Sequence, residues 1–136
     1  MTDQPMTKDK PKILISAEWD GLGEFLSDFL EDQDFKVTVV DPHCDSKKIL
    51  SALSSGSYGI AVLTDNNLNQ DELPDLVSEI KMKHPKVYCL ALVGNDKPDF
   101  AMKLEKLAID DFMPMPLETG YFLSRIEEAM QVLARR

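Results

Sequence analysis

Residues 60 to 69 read IAVLTDNNLN, an apolar run that delivers a carboxylate, Asp65, where polar loop residues begin. If that carboxylate is a working group, its partners must lie at the ends of other strands. Three other apolar runs end in positions that could supply them. Ala17 and Glu18 follow KILIS, Val93 and Gly94 follow VYCLAL, and Met115 and Pro116 come just after DDFM. Of these, only Glu18 is ionisable. Glu18 and Asp65 are therefore the two acids at these strand exits. The blander reading stands beside this one: Asp65 with Asn66 and Asn67 can cap a turn, and Glu18 beside Trp19 can be a solvated side chain. Cys44 and Cys89 have no CxxC spacing and are expected as reduced thiols. AEWDGLG has two glycines at the wrong spacing for a GxGxxG phosphate loop.

The elements that must position these residues alternate. Short β-type runs occupy Lys12 to Ser16, Lys36 to Val40, Ile60 to Thr64, Val87 to Leu92 and Asp111 to Met113, mostly apolar throughout, as in strands covered on both faces. Helical patterns lie between them. Leu22, Phe25, Leu26, Phe29 and Leu30 recur at i, i+3, i+4, i+7 and i+8, one apolar stripe with carboxylates opposite. SKKILSAL ends at Gly56, ELPDLVSEIKMKH carries Leu73, Leu76, Val77 and Ile80, and Pro74 suits only a first turn. DFAMKLEKLA and GYFLSRIEEAMQVLARR complete five helices, the last with Phe122, Ile126, Met130 and Leu133 inward. Strand then helix, five times over, implies right-handed crossovers and a doubly wound α/β sheet that is parallel throughout. Ligands of such sheets gather beyond the carboxyl ends of the strands, where Asp65 lies.

At 136 residues the chain is one domain, residues 12–136, preceded by a polar arm, residues 1–11, expected to be disordered. A net charge of −9 argues against affinity for nucleic acid or anionic membrane, since both would meet like charge. No apolar run approaches the roughly 20 residues of a membrane span, and the first residues lack the apolar centre of a secretory signal, so a cytoplasmic protein is expected.

Over residues 12 to 135 the sequence resembles the response-regulator receiver domain, the phosphoacceptor module of bacterial two-component signalling. ILISAEWDGLGEFLSDFL resembles the family's opening strand and helix, SYGIAVLTDNNLN its third strand and loop, and LAIDDFMPMPL the segment through its fifth strand. The resemblance implies a flavodoxin-like fold with strand order 2-1-3-4-5. It also implies phosphoryl transfer to Asp65, with Mg²⁺ held by Glu18, Asp65 and the backbone carbonyl of Asn67. Phe112 falls at the aromatic switch position. Phe100, Met102, Phe112 and Tyr121 fall on the face where partners usually dock. Against the family pattern, Ala17 replaces an acid, Val93 the hydroxyl residue, Met115 the lysine and Asn69 a proline. Counting from the start of the third strand would put Thr64 at the acceptor position, while the downstream motif and the spacing to Val93 favour Asp65. The reading that follows is a divergent, non-enzymatic receiver with phosphoacceptor chemistry lost or weakened. Its expected partner is a histidine kinase or another signalling protein, and its expected state a monomer or weak homodimer. Two alternatives stay open: a working phosphoacceptor built on Asp65 and Glu18, and a small-ligand module of flavodoxin-like fold.

Overall fold

The computed structural model describes residues 10–16, 21–40, 46–64, 72–93, 109–114 and 118–135. Within them the elements follow in the order β1 (Ile13–Ser16), α1 (Leu22–Glu31), β2 (Val37–Val39), α2 (Ser46–Ser55), β3 (Ile60–Thr64), α3 (Glu72–Lys83), β4 (Tyr88–Val93), β5 (Asp111–Pro114) and α4 (Thr119–Ala134). The helix expected in DFAMKLEKLA lies outside the described residues.

The strands form one parallel sheet in the order β2-β1-β3-β4-β5. This is the expected flavodoxin-like order. β1 and β3 are buried along their whole length because successive side chains point to opposite faces and both faces are covered. On one face Leu14, Ala61, Leu63, Cys89 and Ala91 pack with Ile49 and Leu53 of α2 and with Leu73, Leu76, Val77 and Ile80 of α3. On the other, Ile13, Ile15, Ile60, Val62, Leu90 and Leu92 pack with Leu26 and Leu30 of α1 and with Phe122, Ile126 and Ala129 of α4. β5 is an edge strand, which is what allows Pro114 to pair with Val93 at its end.

Local signals set most boundaries. Gly21, at φ 73°, takes a left-handed conformation just before α1, which glycine adopts without strain. Pro74 sits in the first turn of α3, where its missing N–H breaks no bond. Glu118 caps α4 by accepting from the Tyr121 backbone N–H at 2.6 Å. The chain is already in contact with the domain before β1. The Lys10 ammonium lies 4.8 Å from the Phe35 ring centre and donates to the Gln33 carbonyl, and Pro11 closes over Gly59, where an added Cβ would come within 2.7 Å of the proline ring.

One expectation about packing fails. The apolar stripe of α1 is narrower than its periodicity implies: Leu26 and Leu30 are fully buried, but Phe25 is 48% exposed.

Candidate functional site

The carboxyl ends of β1, β3, β4 and β5 converge along one edge of the sheet, and the strand register defines its last rows. Ser16 is level with Leu63, Leu63 with Ala91, and Ala91 with Phe112; one step on, Thr64 is level with Leu92 and Leu92 with Met113. Glu18, Asp65, Asn67 and Met115 lie outside the described residues, as do Phe100 and Met102. Val93 is described in its backbone only, paired with Pro114.

Two polar side chains end the central strands just before those positions. Thr64 is 1% exposed, and its hydroxyl donates to the Ser16 carbonyl at 3.2 Å, bridging β3 to β1. By alternation Thr64 shares its face with Ile60 and Val62, beneath α1 and α4. Ser16 is also 1% exposed, and among the described residues its Oγ has no hydrogen-bond partner. Sequence reasoning missed both roles. The available signal was the polar residue ending each of two otherwise apolar strands, KILIS and IAVLT.

The described charged pairs around the sheet belong to its opposite end, where β4 and β5 begin. Lys81 of α3 donates to Asp110 at 2.8 Å and to the Val87 carbonyl at 3.3 Å, while Asp110 also accepts from the Cys89 N–H at 2.8 Å. Asp111 pairs with the Arg125 guanidinium, which raises the pKa of Arg125, and it accepts from the Phe112 N–H at 2.9 Å. Burial, and then the negative charge of Asp111, push the Tyr88 phenol above its ordinary pKa. These contacts tie α3, β4, β5 and α4 together and bring no cation to the strand exits. Among the described residues, no three His, Cys, Asp or Glu side chains converge to hold a metal.

Of the expected docking residues, two are described. Phe112 is half-buried against the α2/α3 layer, and Tyr121 stands 51% exposed on α4. Among the described residues, no helix is long and apolar enough to cross a membrane.

No family model matches the sequence, and no curated protein matches it. Solved structures do. The chain is similar to the receiver domain of the TMAO respiratory system response regulator TorR, at 14% identity and TM-score 0.81, over 91% of this chain and 99% of that one. It is similar to the non-phosphorylated HemR receiver domain from Leptospira biflexa, at 23% identity and TM-score 0.75, over 89% and 94%. Its likeness to NtrX from Brucella abortus, at 18% identity and TM-score 0.79, covers 91% of this chain but only 27% of NtrX. The chain therefore folds as response-regulator receiver domains fold.

Proposed function

We propose that the chain is a receiver-type signalling module that acts by binding another signalling protein, with its phosphoacceptor chemistry lost or much weakened. The observation that carries this reading is the contrast between a receiver fold and what the chain places at its strand exits. Phosphoryl transfer to a carboxylate depends on positioned charge: a divalent cation to bridge acceptor and phosphoryl group, and a fixed cation to take up the remaining charge. Met115 offers a thioether where a lysine is expected, and Val93 offers no hydrogen bond.

Asp65 is the candidate acceptor in preference to Thr64. The buried Thr64 hydroxyl, already bonded to Ser16, supports that choice. Glu18, Asp65 and the Asn67 carbonyl are hard oxygen donors of the kind Mg²⁺ takes. With Ala17 in place of a further acid, they would bind it weakly. Bound there, the cation would supply charge neutralisation at Asp65.

On this reading the protein is not an enzyme, it takes no cofactor beyond weak Mg²⁺, and its partner is a histidine kinase or a downstream component of a phosphorelay. Incubation with Mg²⁺ and a small phosphodonor, followed by intact mass measurement, tests it. The expected result is little or no adduct. Rapid stoichiometric labelling that Asp65→Asn abolishes would instead establish the working phosphoacceptor.

A further inference from the structure

A groove beside the starts of β1 and β2, away from the strand exits, carries both signs of charge over an apolar lining. Lys10 and the turn after α1, through Gln33 and Phe35, form one side of it, and Leu123, Glu127 and Met130 of α4 the other. The three α4 residues recur at i, i+4 and i+7, so they share one flank of that helix. The volume is about 350 Å³, within the range of roughly 300–1,000 Å³ that small-molecule sites occupy.

The cation of this groove is set in place before any ligand arrives. The Lys10 ammonium lies 4.8 Å from the Phe35 ring centre and donates to the Gln33 carbonyl. An ammonium has three N–H donors, so two remain for an anion, and a side chain already held in one geometry loses less entropy on meeting it. Glu127 is exposed on α4 and is an acceptor only. Neither Lys10 nor Glu127 has an ion-pair partner among the described residues. Between them Phe35, 5% exposed, and the half-buried Leu123 and Met130 supply apolar surface.

These features select one kind of occupant by elimination. A simple anion would meet Glu127, and a simple cation would meet Lys10. A purely apolar molecule would strip water from both charges and return nothing to either. A small zwitterion with an apolar body satisfies all three surfaces at once.

We propose that this groove binds a free amino acid with an apolar side chain. Its carboxylate meets the Lys10 ammonium, its ammonium meets the Glu127 carboxylate, and its side chain lies against Phe35, Leu123 and Met130. The inference goes beyond the signalling role proposed above and involves no chemistry at Asp65, so it holds or fails whatever the phosphodonor experiment returns.

The test is an amide NMR titration of the full chain with L-phenylalanine. Three probes are set against it: hydrocinnamate, which lacks the ammonium, phenethylamine, which lacks the carboxylate, and L-serine, which lacks the apolar body. Saturable shifts are expected at residues 33–36 and 123–131 with phenylalanine at about 1–10 mM. Either single-charge probe should bind about threefold or more weakly, and serine should give no shifts. Lys10→Met keeps a stem over Phe35 but removes the ammonium. It should weaken phenylalanine about threefold or more without weakening phenethylamine. Glu127→Gln should weaken phenylalanine by a similar factor without weakening hydrocinnamate. The amide spectrum of each free variant verifies its fold. Absence of saturable shifts, shifts centred elsewhere, equal affinity for serine or for a single-charge probe, or wild-type affinity in either variant would each overturn the proposal. So would movement of these amides on dilution of the free protein, the sign of a second copy in the groove.

Discussion

Ser16 and Thr64 end the two central strands with hydroxyls, and the fold treats them differently. Thr64 spends its hydroxyl on the Ser16 carbonyl, whereas the buried Ser16 Oγ has no partner among the described residues. A buried polar group without a partner costs about 1–3 kcal/mol, and a hydroxyl that bonds across strands returns about 1 kcal/mol. Ser16→Ala is therefore expected to leave stability unchanged or raise it by up to about 1 kcal/mol, and Thr64→Val to lower it by about 1 kcal/mol. Urea unfolding measures both. A loss of more than about 1 kcal/mol in Ser16→Ala would show that its hydroxyl has a partner in solution. The sequence makes the two residues visible as polar ends of apolar runs. It does not reveal which is satisfied, because that depends on the register of β1 against β3.

At the scale of elements, periodicity located all five strands and the four described helices but not the width of each buried face. The i, i+3, i+4 pattern of α1 includes Phe25, yet only the sector around Leu26 and Leu30 meets the sheet. How far round a helix the burial extends is decided by the distance to its neighbours, here α4 through Phe29 and Phe122. Ion pairs between elements were likewise hidden, since Lys81 and Asp110, or Asp111 and Arg125, are far apart in the chain. The junction of β4, β5 and α4 has a pH signature. Burial and Asp111 raise the Tyr88 pKa in the folded state, so the neutral phenol is favoured by folding. Its contribution is complete below the ordinary tyrosine pKa of about 10 and is lost as pH rises through the higher folded value. Urea midpoints taken on either side of pH 10 should fall more steeply for the wild type than for Tyr88→Phe. Parallel slopes would remove Tyr88 from the account.

For the whole molecule the dominant quantity is the net charge of −9, with the exposed acids of α1 among its contributors. Self-repulsion of this kind is screened once the Debye length falls to roughly 10 Å, near 0.1 M salt. Stability should therefore rise between about 0.01 M and 0.1 M NaCl, read as an increase in the urea midpoint. A decrease would mean that attractive pairs such as Lys83 with Glu79 outweigh the repulsion. The alternation of apolar strands and amphipathic helices was sufficient, by itself, to determine a parallel α/β sheet covered on both faces, because each period requires its own kind of partner. The residue types at Ala17, Val93 and Met115, on which the proposed loss of phosphoacceptor chemistry rests, were equally legible. Only the tertiary structure decided that Thr64 turns its hydroxyl inward, that Ser16 has no partner among the described residues and that Phe25 emerges into solvent. Each of these depends on distances between segments remote in the chain, which no local pattern encodes.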